Sequence, residues 1–421
     1  MIPASQNDIP YGRERTYNEA NLRWHQAIKK LKFKYRLTNL TRHSSFTHRC
    51  QIIDHQKNSL LEGFGKGKKI QSIIGAKYES LEHIATIPAY LNDENVYIFS
   101  VNDALKNNLP FLESRIPAQL FLDKSLHDRT LAWVKFKSIC SKNYYFSPAI
   151  SCNPHYAMFK SSKDPFDYKE IYINHSNSGC AIGGTYDEAL LHSILEIIER
   201  DAASFFLINT FLAPKKKFLK IVELEGLELN LIDNLQISVF LSKTSCELKV
   251  FEMPNEFEIP AYCAVLYHPK LLIPIKGFGC SPILHHALER AIFEAIQIFN
   301  IYETKIIYED ELTLKALQDW PQLMSCIYFD FDKISHKQYK AESYFAQQDN
   351  TNKNLKSLLQ EVIAILNNKD FDIIVDIRYD DENFCALQSL IPACEEFYLI
   401  IGGTITTLGH RAKKMLYTDI I

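Results

Sequence analysis

Three times along the chain, a glycine-bearing turn runs into a helix-periodic stretch that carries glutamates. The first is Gly63-Phe64-Gly65-Lys66-Gly67, followed by Glu79 and Glu82. The second is Gly179 and then Gly183-Gly184, followed by Glu196 and Glu199. The third is Gly277-Phe278-Gly279, followed by Glu294. Counted from Gly65, Gly184 and Gly279, the first of these named glutamates lies 14, 12 and 15 residues on. This is not the short, regular period of a solenoid. It is one local device used at three places, and it predicts that the three helices converge.

The second helix is the most informative. Thr185 and Glu188 form a T-x-x-E capping box at its start. Glu196 and Glu199 are three apart and share a face with His192 and Ala203. The rest is apolar nearly all round, which marks a buried helix. Two ionised carboxylates there cost several kcal/mol, roughly, unless something positive compensates. Arg200 can pair with Glu196, which leaves Glu199 unpaired; a bound divalent cation would neutralise both. On this helix alone the two readings stand level. The first helix repeats the spacing at Glu79 and Glu82. The third offers Arg290, Glu294 and Gln297 on one face among apolar neighbours. An intrahelical Arg290–Glu294 pair would be worth a few tenths of a kcal/mol, roughly. Five glutamates on three buried helices favour a metal site.

All-oxygen ligation suits magnesium, manganese or calcium rather than zinc. A ferritin-type di-iron site would need E-x-x-H on two helices; here His83 follows Glu79 at four, and His192 precedes Glu196. Magnesium usually arrives with phosphates, and the glycine turns are expected to offer them backbone N–H groups, with Arg200 and Arg290 adding charge. No Walker A loop occurs. The residues by themselves lead to an unusual magnesium–nucleotide site.

Lys plus Arg (47) and Asp plus Glu (50) nearly cancel over 421 residues, so a protein living by electrostatic grip on nucleic acid is not expected. The run Lys215-Lys216-Lys217 reads as a solvated face. With 47% hydrophobic residues the chain is globular. No apolar run is long enough to span a membrane, no secretory signal is visible, and none of the ten cysteines forms C-x-x-C. A cytoplasmic chain with reduced thiols follows. Strands are expected at 50–54, 97–101, 171–173, 261–266 and 371–376, helices at about 71–84, 186–209, 283–302 and 354–368, and a polar loop at 337–351. The fold class is mixed α/β: an N-terminal extension over 1–35, with a helix near 17–32 whose Leu22, Ala27 and Leu31 could face a partner, and one large body over 36–421.

These residues carry a family resemblance. Ser176-Asn177-Ser178-Gly179-Cys180-Ala181-Ile182-Gly183-Gly184-Thr185, leading to Glu188-Ala189 and Leu195-Glu196-Ile197-Ile198-Glu199-Arg200-Asp201-Ala202, resembles the central motif of the YcaO family. The run from Ala287 to Gln297 resembles its third motif, and Gly65-Lys66-Gly67 with Glu79 and Glu82 its first. Ile391-Pro392-Ala393-Cys394-Glu395 sits where a V-P-G-L-E-like segment is usual.

The resemblance implies an ATP-utilising enzyme that activates backbone amides of a ribosomally made precursor peptide. The product would be thiazoline or oxazoline from Cys, Ser or Thr, with phosphate as the leaving group. It implies magnesium on Glu79, Glu82, Glu196, Glu199 and Glu294. Nucleotide contacts would come from Gly179, Gly184, Glu188, Arg200, Arg290 and Gln297, with Glu199 and Arg290 catalytic. A separate leader-peptide-binding partner, a flavin dehydrogenase subunit and a hetero- or homo-oligomer are expected, with no nucleic acid and no membrane.

The sequence departs from the family pattern at Gly75 (usually Ser), His83 (usually Arg), Gly184 (usually Asn) and Phe299 (often Arg). The proline-rich end of many azoline-forming members is missing from Leu416 to Ile421, and the run Ser72 to Ala76 resembles microcin-type cyclodehydratase subunits. Two alternatives stay open: thioamide formation with a sulfur-delivering partner, and a non-catalytic accessory role.

Overall fold

The computed structural model describes residues 9–43, 45–53, 59–87, 96–112, 115–117, 119–171, 176–213, 219–222, 231–302, 304–329, 331 and 354–418. The expected strand at 171–173 beyond Ile171, the lysine run 215–217 and the loop at 337–351 lie outside these residues.

Two sheet-and-helix units are built alike. In the first, β1 (Lys34–Asn39), β2 (His48–Ile53) and β3 (Ser59–Gly65) form an antiparallel sheet in that order, and α2 (Lys69–Ala85) packs across it. An N-terminal helix, α1 (Tyr17–Lys30), precedes them. A six-stranded sheet forms the centre. Its strands are β4 (Tyr97–Phe99), β5 (Leu131–Ser138), β6 (Tyr144–Pro148), β7 (Cys180–Gly183) and, from late in the chain, β11 (Ile374–Asp380) and β12 (Cys385–Leu390). Its order is β4-β5-β11-β12-β7, with β6 also paired to β5. A short helix α3 (Val101–Lys106) follows β4, and the long helix α4 (Tyr186–Leu207) follows β7.

The second unit comprises α5 (Leu231–Thr244), then β8 (Glu247–Glu252), β9 (Ala261–Tyr267) and β10 (Ile275–Cys280), antiparallel in the order β10-β9-β8, with α6 (Leu284–Ile301) packed across them. Helices α7 (Thr304–Leu317), α8 (Pro321–Tyr328) and α9 (Leu355–Asn367) come next, and α10 (His410–Thr418) closes the described chain. The largest apolar cluster surrounds α4, which is buried along most of its length.

The glycines explain how each helix lies so close to its strand. A Cβ at Gly65 would come 1.8 Å from the Ser72 carbonyl oxygen, and one at Gly63 2.2 Å from the Ser80 nitrogen. Gly279 and Gly277 stand in the same relation to the Ala287 and Ala291 carbonyls, at 2.1 and 2.2 Å. Only glycine permits this backbone approach.

Three local expectations change. Val101 is helical, because Ser100 and Asp103 cap α3 reciprocally. The strand expected from Phe371 starts at Ile374, since Asp370 at φ 61° and the Phe371 N–H still close the turn after α9. Helix α1 turns Trp24, Ala27 and Ile28 inward, with the Trp24 indole donating to the Lys77 carbonyl, and Leu22 is exposed.

Candidate functional site

The three glutamate-bearing helices converge. Glu79 and Glu82 on α2, Glu196 and Glu199 on α4, and Glu294 on α6 interact with one another electrostatically across a shared interior. The edge strands hold them in place. The Phe64 N–H in β3 donates to Glu79 at 3.1 Å, and the Phe278 N–H in β10 donates to Glu294 at 3.4 Å. Ile182 in β7 supplies a backbone hydrogen bond to Glu82. In β3 and β10 the glycine-flanked residue thus turns its amide to a carboxylate. Gly63, Gly65, Gly277 and Gly279 are themselves strand residues that admit the helix rather than parts of a loop.

Burial disfavours ionisation here. It raises Glu79 and Glu196 to about 7 and pushes Glu82 and Glu199 upward as well. Burial would raise Glu294 too, but the Lys66 ammonium 2.5 Å away, with Arg200 and Arg290, holds it below the usual range. Arg200 pairs loosely with Glu196 at 3.9 Å and lies 4.9 Å over the Tyr398 ring. Glu199 is buried, and its Oε2 has no hydrogen-bond partner; Nε of Arg200, Nε of Arg290 and Nδ1 of His192 are likewise without one. Orphaned acceptors beside orphaned donors suit a polyanion carried with a divalent cation. Among the described residues no three His, Cys, Asp or Glu side chains gather into one coordination sphere. That fits magnesium, which takes one or two carboxylates and fills its shell with water and phosphate oxygens.

A cavity of about 410 Å³ has Lys66 and Arg290 in its wall, and none of the five glutamates lines it. Of the expected nucleotide contacts, Gly184, Glu188 and Arg290 line it. Lys66 also lines it and, through its bond to Glu294, stands between cavity and carboxylates. Gly179 does not line it: its carbonyl accepts from Ser193 and Ser389, and a Cβ there would meet the Ser389 carbonyl at 2.2 Å. Gln297 is buried one turn beyond Glu294, and neither it nor Arg200 lines the cavity.

The capping box is half formed. Thr185 caps α4, but Glu188 turns away to accept from the Gly184 N–H at 2.6 Å and the Glu14 N–H at 2.5 Å. Residues 10–17 supply much of the remaining wall through Pro10, Tyr11, Arg13, Arg15 and Tyr17. Sequence reasoning missed this arm because nothing local links it to α4. It also missed Lys66, although a lysine between two glycines beside a buried acidic helix was a usable signal. At the position where the family usually has Arg, the His83 ring bonds the Glu62 carbonyl at 2.8 Å, and burial lowers its pKa.

The family described as YcaO cyclodehydratase, ATP- and Mg2+-binding, matches residues 64–395. The chain belongs to the YcaO family. Among solved structures, a heterocyclase in complex with substrate and cofactor matches with TM-score 0.67 at 16% identity, over 98% of this chain; this chain spans 58% of that one. YcaO from Methanopyrus kandleri, bound with AMPPCP and Mg2+, matches with TM-score 0.63 at 15% identity, over 96% of this chain and 99% of that one. A chain of the E. coli microcin synthetase McbBCD complex matches with TM-score 0.51 at 14% identity, over 86% of this chain and 88% of that one. At these identities the structures establish a shared mixed α/β fold. No curated protein matches the sequence. Among the described residues no helix is long and apolar enough to cross a membrane.

Proposed function

We propose that this chain is an ATP- and magnesium-dependent cyclodehydratase that acts on backbone amides of a ribosomally made peptide. One observation carries the reading: five interacting glutamates on three converging helices border a cavity through Lys66 and Arg290. The family description and the neighbours bound to AMPPCP and Mg2+ or to substrate and cofactor support it.

Glu79, Glu82, Glu196, Glu199 and Glu294 would hold magnesium. Magnesium-bound ATP would supply a transferable phosphoryl group, through which the amide oxygen could leave as phosphate. The protein's part is position and charge. Arg290 faces the cavity with an unpaired Nε, and Arg200, propped on Tyr398, faces the glutamates; both would offset charge on the transferring phosphoryl. Lys66 would exchange Glu294 for phosphate oxygens. A side-chain thiol or hydroxyl of the peptide would close on the amide carbon, its proton and the amide N–H proton being released to solvent, and phosphate would leave with the amide oxygen as C=N forms. A separate leader-binding protein would deliver the peptide, as membership of a synthetase complex by one structural neighbour suggests.

The test is mass spectrometry of a Cys- or Ser-containing precursor after incubation with the chain, its partner, ATP and magnesium. Each ring should remove the mass of one water and release one phosphate, and Glu199→Gln should abolish both. Exchange of oxygen for sulfur, or ATP hydrolysis with unchanged peptide mass, would overturn the reading.

A further inference from the structure

Beside Glu196 and Glu199, a guanidinium would be expected to lie fork-to-fork on a carboxylate. Arg200 does not. Its Nε stays 3.9 Å from Glu196 Oε1, beyond hydrogen-bond distance, and has no partner. What the guanidinium lies against is aromatic. Its Cζ is 4.9 Å from the centre of the Tyr398 ring and 5.9 Å from that of the Phe278 ring. Both distances are within the range of a cation–π contact. A ring attracts the guanidinium through its charge, so the N–H donors are not used up.

Tyr398 is itself tied to the helix that carries Arg200. It stands in a 3-10 turn, Phe397–Gly402, between β12 and α10. Its N–H donates to Ser204 Oγ at 2.9 Å, and the Ser204 hydroxyl donates to the Arg200 carbonyl at 2.8 Å. Its own hydroxyl lies 3.3 Å from Ser176 Oγ, which also accepts the Ser178 N–H at 3.1 Å. Both ends of the tyrosine are thus fixed, and its backbone is held to the turn of α4 that begins at Arg200. Phe278 brings the second ring from β10, where its N–H donates to Glu294.

We propose that Tyr398 is a positioning residue for phosphoryl transfer: its ring, with that of Phe278, keeps the Arg200 guanidinium off the glutamates and its N–H groups free for the transferring phosphoryl. Charge placed in advance needs no rearrangement as the transition state forms, so the effect falls on turnover and not on nucleotide affinity. That role depends on Arg200 meeting the phosphoryl group, as read above.

Nuclear magnetic resonance of the metal-free protein, with isotope-labelled arginine, tests the contact without ATP. The Arg200 Nε–H signal, identified by its loss in Arg200→Met, should be displaced by the ring currents of Tyr398 and Phe278. Tyr398→Phe should keep that displacement, and Tyr398→Leu should lose most of it. With precursor, partner protein and magnesium–ATP, Tyr398→Leu should lower kcat about tenfold, the worth of one partly desolvated cation–π contact. Its affinity for a magnesium-bound ATP analogue should stay within about twofold of wild type. Tyr398→Phe should turn over like wild type. In the Arg200→Met background Tyr398→Leu should add almost nothing, because the ring acts only through the guanidinium. Circular dichroism checks each fold. If Tyr398→Leu does not fold, Phe278→Leu, which keeps its N–H for Glu294, gives the same readouts with smaller changes. An unmoved Arg200 signal in the leucine variant, an added loss in the Arg200→Met background, or a fall in affinity as large as that in kcat would overturn the proposal. A displaced signal in a wild type that turns over no ATP on any precursor would overturn the phosphoryl-transfer reading instead, and with it the role given to the two rings.

Discussion

Glu79 and Glu294 occupy matching places in the two sheet-and-helix units. Each accepts an amide from the residue between two glycines of an edge strand, and each faces the same interior. Their acidities nonetheless move in opposite directions, Glu79 up to about 7 and Glu294 below the usual range. Lys66 attracts both carboxylates but hydrogen-bonds only Glu294, where Arg200 and Arg290 add their charge. Lys66 leaves the first unit and reaches the glutamate of the second. Like folds thus give unlike electrostatics, because the charge is set by what crosses between units and not by either unit alone.

Removing that crossing should have the largest effect. Lys66→Met leaves Glu294 without its hydrogen-bonded cation among four other carboxylates, and breaking a largely enclosed pair costs roughly 3–5 kcal/mol. Urea unfolding of the metal-free protein would show it, and adding Glu294→Gln should restore most of the loss. An unchanged midpoint would mean that Lys66 does not set the asymmetry.

Next in size is the ligand. A magnesium-bound, non-hydrolysable ATP analogue at one hundred times its dissociation constant should add about 2.7 kcal/mol, seen as a rise in Tm. The analogue without magnesium should add little. Glu199→Gln should raise the Tm of the metal-free protein, because it removes an orphaned charge at nearly constant volume. A clear drop would show instead that Glu199 is half of a structural ion pair.

The pH dependence separates the two units directly. Glu79 and Glu196 bind protons more tightly folded than unfolded, so the folded state holds more protons between pH 4.5 and about 7. Stability of the metal-free protein should therefore fall as pH rises through that window, by at most about 1.4 kcal/mol per pH unit for each group. Glu294 has the opposite sign: its contribution is present above its unfolded pKa and lost as pH falls through its lower folded value. Glu79→Gln should flatten the slope between pH 4.5 and 7 more than Glu294→Gln, which acts there only by removing a charge that raises Glu79 and Glu196. Equal effects would remove the distinction.

The smallest effect concerns the helix starts. Thr185 caps α4 with its side chain, whereas Lys68 and Ile283 give α2 and α6 no such cap. Thr185→Ala should cost about 1 kcal/mol in thermal or urea unfolding.

The motif glutamates were legible because a charged residue repeated on an otherwise apolar helix face has few physical explanations. Helix boundaries at 69–85, 186–207, 284–301 and 355–367 were legible from periodicity. The strand near 374 was misplaced because the turn after Asp370 depends on a backbone conformation that composition does not announce. The glycines were legible as important but not as to role. A glycine that cradles phosphate and a glycine that admits a helix look the same in sequence.

By itself the sequence determined the family, the three glutamate helices and the acidic residues that face one another. These follow from local spacing and side-chain chemistry, which a linear string records. Only the tertiary structure decided that Lys66 serves Glu294, 228 residues away, that Glu188 is held by Gly184 and Glu14, and that Tyr398 and Phe278 both reach Arg200. Such pairings depend on which strands meet and how closely helices pack, and a sequence without spatial contacts carries no separation between distant residues from which to read them.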